Sequence, residues 1–179
     1  MGEDKAFVLV SGKPLIEILV DKLSPIFTDL LIITNTPELY KKYGIRTQQD
    51  IIQNCGPLGG IYTGLVSSAN KYNFIVACDM PFLNPALLMF MSDQIQGYDL
   101  VIPKRNGLLE PLCAVYAKTC IQPIKNELSQ QNLKISNFLQ QVKVKVISEE
   151  EIAKFDPEQL CFVNINTPRD YRKIKYARI

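Results

Sequence analysis

The sequence contains no histidine. That absence removes every Ser-His and Cys-His nucleophile scheme, the His-rich zinc sites and the commonest general base at neutral pH. What it leaves is chemistry done by positioning, by carboxylates and by a hard metal ion. There is also no apolar run near the roughly 20 residues that cross a bilayer, and the start, Met-Gly-Glu-Asp-Lys, has no apolar signal core. A cytoplasmic protein with no membrane partner is expected. Charge of one sign is missing too: 20 basic residues stand against 18 acidic ones. No overall field then draws the chain to nucleic acid, and an anionic ligand has to be held locally. The five cysteines are odd in number and include no Cys-x-x-Cys pair, so zinc and dithiol redox roles are not indicated and reduced, mostly buried thiols are expected. Internal repeats, low-complexity tracts and linker-like stretches are absent as well, and 47% hydrophobic content is enough for one core, so a single domain over 1–179 is expected.

Short apolar, β-branched runs are present at 30–34, 74–78, 100–103, 112–116, 142–147 and 161–163, and they read as strands. Between them, 15–23, 61–69, 85–95, 120–127 and 168–176 carry apolar residues at helical spacing. Pro85 and Pro168 suit a first helical turn, with Asn84 and Thr167 before them as caps. Strands alternating with helices predict an α/β fold, Rossmann-like, with a mostly parallel sheet covered on both faces. In such sheets ligands bind at the carboxyl ends of the strands.

Polar residues just after each strand are therefore the candidates. Phe74-Ile-Val-Ala-Cys-Asp79-Met-Pro81 delivers a carboxylate to a strand end, where Asp79 is placed either as a magnesium ligand or as a cap of the following turn. Cys55-Gly-Pro-Leu-Gly59-Gly-Ile61 leads into a helix with Asp50 upstream. It can bring backbone amides close to an anion or a base, or simply make a tight turn. Lys5 offers a point charge for phosphates or is a solvated terminal residue. In Phe162-Val-Asn164-Ile-Asn166-Thr-Pro168 the two asparagines share a side if the strand continues, and Asn166 or Thr167 also suits the cap of the last helix.

Taken in order, Met1-Gly-Glu-Asp-Lys-Ala6, Gly12-Lys-Pro-Leu15, Gly56-Pro-Leu-Gly-Gly60, Cys78-Asp-Met-Pro81 and Phe162-Val-Asn-Ile-Asn-Thr-Pro168 resemble the molybdenum cofactor guanylyltransferase family from the first residue to the last helix. The resemblance implies a three-layer α/β/α nucleotidyltransferase fold, like that of the nucleotide-diphospho-sugar transferases. It implies a reaction in which the terminal phosphate of molybdopterin, or Mo-molybdopterin, attacks the α-phosphorus of Mg-GTP, forming molybdopterin guanine dinucleotide and releasing pyrophosphate. Carried over by position, Lys5 contacts the nucleotide phosphates and shares the catalytic role with Asp79, which also binds magnesium. Asn35, Asp50 and Gly59 fall on the nucleotide side, and Glu110, Asn164 and Asn166 on the pterin side, with Lys104 and Arg105 across the cleft. Other proteins of cofactor biosynthesis, or acceptor enzymes, are implied as partners.

The sequence departs from the family's pattern in one place: ahead of Met1-Gly2 the family carries a first strand and a turn of the form Leu-Ala-Gly-Gly-x-Ser-x-Arg, which is not in these residues. Reduced GTP affinity is the expectation for a chain that begins at Met1. Two other readings fit the same residues: CMP transfer to the same pterin or sugar-nucleotide synthesis, and a non-catalytic binding or delivery partner for the cofactor.

Overall fold

The computed structural model describes residues 5–167 and residue 170. The chain runs through β1 (Leu9–Val10), β2 (Lys13–Pro14), α1 (Leu15–Leu23), β3 (Leu31–Ile33), β4 (Arg46–Gln48), α2 (Gly56–Ser67), β5 (Tyr72–Val76) and α3 (Pro85–Asp93). It continues through β6 (Leu100–Arg105), β7 (Leu108–Leu109), β8 (Cys113–Ala117), α4 (Ile121–Ser129), β9 (Val144–Ile147) and α5 (Glu149–Ala153).

The main sheet has the order β5-β8-β6-β9, with β7 folded back on the end of β6. Side chains of its strands alternate between two cores. Val101, Cys113 and Val115 face α1, α3 and α5 through Leu19, Leu87, Leu88, Met91 and Ile152. Leu100, Ile102, Ala114 and Tyr116 face α2 and α4 through Leu58, Ile61, Leu65, Ile124 and Leu128. Period-two burial on both sides gives the three-layer α/β/α arrangement that the alternating elements predict.

The sheet is mixed, where a mostly parallel one was expected. Strand β9 runs parallel to β6, but β8 is antiparallel to both β5 and β6. Chain length is the reason. A parallel return needs a crossover of a dozen residues or more, whereas β6 turns back at once through Asn106 and Gly107, both at positive φ (48° and 77°). Because β8 opposes both neighbours, β5 and β6 point the same way, and their carboxyl ends share one edge of the sheet.

The strand expected at 161–163 is a single 3₁₀ turn, Leu160–Phe162, entered through Gln159 at φ 53°. Its apolar residues are buried by packing rather than by pairing: Cys161 and Phe162 join the core on the α3 side, and the Cys161 amide donates to Asp156 Oδ2 at 2.8 Å. The helix expected at 61–69 begins five residues earlier, with Gly56 at φ 53° as its first residue. Asn84 caps α3 as expected, its Oδ1 accepting from the Ala86 and Leu87 amides at 2.9 and 3.3 Å. The helix expected at 168–176 lies outside the described residues except for Asp170. There Thr167 Oγ1 accepts from the Asp170 amide at 3.3 Å and Asp170 Oδ2 accepts back from the Thr167 amide at 2.9 Å. That reciprocal pair is a helix-start arrangement.

Strands β3 and β4 form a separate parallel pair, and α2 packs against both β3 and β5. Between β3 and β5 runs a groove of about 900 Å³, lined by Val20, Leu23, Ile33, Gly64, Phe74 and Val76 among others.

Candidate functional site

Strand β5 ends at Val76, and Ala77 to Asp79 continue the chain to the sheet edge, where Asp79 is 13% exposed. Two elements hold this carboxylate's surroundings. The Ile165 amide donates to the Asp79 carbonyl at 2.8 Å, which lays the 162–166 segment alongside it. Lys5 places its Nζ 4.0 Å from Asp79 Oδ2 and donates to Asn166 Oδ1 at 2.5 Å. Lys5, Asp79 and Asn166, far apart in sequence, are thus one cluster. Asn164, exposed, lines the groove together with Asp79 and with Pro57 and Gly60 from the first turn of α2.

A second cluster forms where β3 and β4 end. Asn35 Nδ2 donates to Asp50 Oδ2 at 2.9 Å, and the Asp50 amide donates back to Asn35 Oδ1 at 3.1 Å. The loop between them and α2 is pinned by Thr63, fully buried in the helix, whose Oγ1 accepts from the Ile51 amide at 3.0 Å. Sequence reasoning missed Thr63. Its one signal is a threonine in the middle of a mostly apolar helix. Gly59 sits in the first turn of α2, where a Cβ would lie 2.7 Å from the Cys55 Cβ, so only glycine lets that turn close. Glu110 stands apart from both clusters and accepts from Arg105 Nε at 2.9 Å.

Two carboxylate oxygens are buried without a hydrogen-bond partner among the described residues, Asp79 Oδ1 and Asp50 Oδ1. A buried acceptor left unmade costs about 1–3 kcal/mol, more if charged. That cost persists in a fold where the group has another use. Among the described residues no group of three or more Cys, Asp or Glu could hold a metal ion by protein ligands alone. A cation at Asp79 would therefore need other oxygen donors, as magnesium commonly takes from phosphates.

Three of the thiols, Cys113, Cys120 and Cys161, are buried. Burial pushes Cys161 up to about 12, with a hydrogen bond to Asp156 adding to it, and pushes Cys120 up to about 12 as well. Cys78, next to Asp79, is the exposed one. Among the described residues no helix is long and apolar enough to cross a membrane.

Comparison with known proteins shows the family. Residues 1–146 match the family described as the MobA-like NTP transferase domain. A probable molybdenum cofactor guanylyltransferase of Natranaerobius thermophilus is 37% identical over 98% of this chain and 88% of its own length. The molybdenum cofactor guanylyltransferase of Desulfosudis oleivorans is 34% identical over 98% and 88%. The crystal structure of molybdopterin-guanine dinucleotide biosynthesis protein A from Archaeoglobus fulgidus superposes with a TM-score of 0.86 at 29% identity, covering 99% of this chain and 93% of that one. The 2-C-methyl-D-erythritol 4-phosphate cytidylyltransferase of Thermus thermophilus, at 14% identity and a TM-score of 0.70 over 98% and 94%, shares the fold. With the family matched over most of its length, this chain is a nucleotidyltransferase that belongs to the MobA-like NTP transferases, within the molybdenum cofactor guanylyltransferase family.

Proposed function

We propose that this protein transfers GMP from Mg-GTP to the terminal phosphate of molybdopterin. The observation that carries the reading is the pair of buried, unpartnered carboxylate oxygens on Asp79 and Asp50, one in each cluster. Relatives named for guanylyl transfer to the molybdenum cofactor support the choice of substrates.

In this reading a phosphate oxygen of molybdopterin attacks the α-phosphorus of GTP. The bond from that phosphorus to the bridging oxygen of the β-phosphate breaks, and pyrophosphate leaves. Asp79 fits magnesium, being a hard oxygen donor with one oxygen unpaired. Magnesium bound there supplies positive charge to the phosphate oxygens as negative charge shifts to the leaving group. Lys5 adds a second positive charge within reach of the same carboxylate. Asp50 and Asn35 hold the nucleoside end: Asp50 Oδ1 is free to accept from a base N–H, and Asn35 fixes the Asp50 carboxylate in place. Gly59 keeps the first turn of α2 closed beside that loop. Asn164 and Asn166, with Glu110 across the sheet edge, form the pterin side. The attacking phosphate is ionised at neutral pH, so the absence of histidine costs the reaction nothing.

The test is pyrophosphate release by the purified protein with Mg-GTP and molybdopterin, run alongside CTP. Release that prefers GTP and falls on the order of 10²–10³-fold in Asp79→Ala is expected. Release with CTP at an equal or greater rate would remove the guanylyl assignment, and turnover undiminished in Asp79→Ala would remove Asp79 from it.

A further inference from the structure

The 162–166 segment, which carries both asparagines, is tied to distant parts of the chain at three points, besides its local bonds to Leu160 and Asp170. Lys5 Nζ holds Asn166 Oδ1, and the Asp79 carbonyl holds the Ile165 amide. The third bond comes from the other side of the sheet edge: Arg105, at the end of β6, donates from Nη2 to the Phe162 carbonyl at 3.4 Å. Its guanidinium also lies over the Phe162 ring, 5.8 Å from the centroid.

Arg105 does not reach there as a loose surface charge. Its Nε donates to Glu110 Oε1 at 2.9 Å, and the two side chains are 28% and 18% exposed. Glu110 is itself fixed through its backbone, its amide donating to the Pro103 carbonyl at 2.9 Å and its carbonyl accepting from the Cys113 amide at 3.1 Å. One planar fork is therefore used twice, toward Glu110 through Nε and toward Phe162 through Nη2. A lysine ammonium is a single point on a flexible stem and cannot reproduce that geometry.

We propose that Arg105, oriented by Glu110, is a positioning residue for the acceptor half of the site. It fixes the Phe162 carbonyl, and through it sets where Asn164 stands relative to Asp79. This inference rests on the transferase reading above and assigns Glu110 its part in that reaction, exerted through Arg105. Arg105 acts on the reaction only through the 162–166 segment. The nucleotide side is anchored elsewhere, by the Asn35–Asp50 pair and Thr63, so the two substrates separate in the kinetics.

The test measures KM for molybdopterin, KM for GTP, kcat and thermal stability in Arg105→Gln, Arg105→Lys and Glu110→Gln, together with hydrogen exchange of a peptide covering 161–167. Arg105→Gln should raise the molybdopterin KM about tenfold with the GTP KM unchanged within about twofold, and should speed exchange across 161–167. Arg105→Lys should recover stability by keeping a charge beside Glu110 but should not recover the molybdopterin KM. A purely structural ion pair would be rescued by lysine in both respects. An unchanged molybdopterin KM in Arg105→Gln, or equal rises in both KM values, overturns the proposal. If the wild-type protein releases no pyrophosphate from GTP, the transferase reading falls, and hydrogen exchange still decides the strut: unchanged rates across 161–167 overturn it and faster rates support it.

Discussion

Strands β8 and β5 lie side by side, yet every residue of β8 is buried and every residue of β5 is half-buried. Composition does not explain the difference. Strand β5, Tyr-Asn-Phe-Ile-Val, carries more large apolar side chains than β8, Cys-Ala-Val-Tyr-Ala. Position does. Strand β8 has β5 on one side and β6 on the other, whereas the second edge of β5 opens on the groove, as does β3, which is also half-buried throughout. How deeply a strand is buried is set by its neighbours, and Asp79, one of the two carboxylates with an unpaired oxygen, follows the half-buried β5.

Matched truncations would break that comparison if it is wrong. Ile102, fully buried in β6, leaves a cavity when cut to alanine, and Ile102→Ala should cost about 2–5 kcal/mol in chemical denaturation. Ile33, half-buried in β3 and lining the groove, already has open space on one side. Ile33→Ala should cost about 1 kcal/mol. Equal losses would mean that the groove-side strands are as tightly held as the closed sheet.

Most elements are legible in the sequence on both sides, β3 falling within the 30–34 run and β5 overlapping the 74–78 run. Helix α1 falls on 15–23 as its spacing predicts, and β6 is announced by Leu-Val-Ile-Pro. Strand β4, Arg-Thr-Gln, has three polar residues and no periodic signal, so its pairing with β3 could not be read. The turn at Leu160–Phe162 looks like a strand because burial, whether by pairing or by packing, selects the same apolar residues. The site divides similarly. Asp79 is visible as a carboxylate stopped at a strand end. The contact of Lys5 with Asn166 spans 161 positions, and that of Arg105 with Phe162 spans 57, distances over which no local pattern carries information.

The thiols report the same contrast without perturbing the fold. Cys113, Cys120 and Cys161 are buried, and burial raises all three above the ordinary thiol range. Cys78 is exposed at the end of the groove-side strand. In the native protein at pH 8 a thiol reagent should modify Cys78 on the order of a hundredfold faster than those three, which react once the chain is unfolded. Mg-GTP should slow the Cys78 reaction, because the nucleotide would lie against the neighbouring Asp79. Fast native modification of Cys113 or Cys161 would show that the α3-side core opens.

The smallest expected effect separates two aspartates at opposite ends of the sheet. Asp99, just before β6, has both oxygens used: Oδ1 accepts from Thr119 Oγ1 at 2.5 Å and Oδ2 from the Lys143 amide at 2.8 Å. The Thr119 hydroxyl foremost, and then the Lys143 amide, hold its carboxyl below the usual range. A lowered folded-state pKa contributes stability that is present above the unfolded value and lost as pH falls through the folded one. Asp99→Asn should therefore be less stable than wild type at pH 7, by at most about 1 kcal/mol since the carboxylate is largely solvated. The gap should close as the pH drops below about 4, and turnover should not change. Asp79→Asn should behave in the opposite sense, losing turnover but little stability, because one of its oxygens has no protein partner to lose. Thermal melts of both variants at pH 7 and pH 3.5, read against their pyrophosphate release, check the contrast. A pH-independent Asp99→Asn deficit would show that its two hydrogen bonds do not depend on the charge.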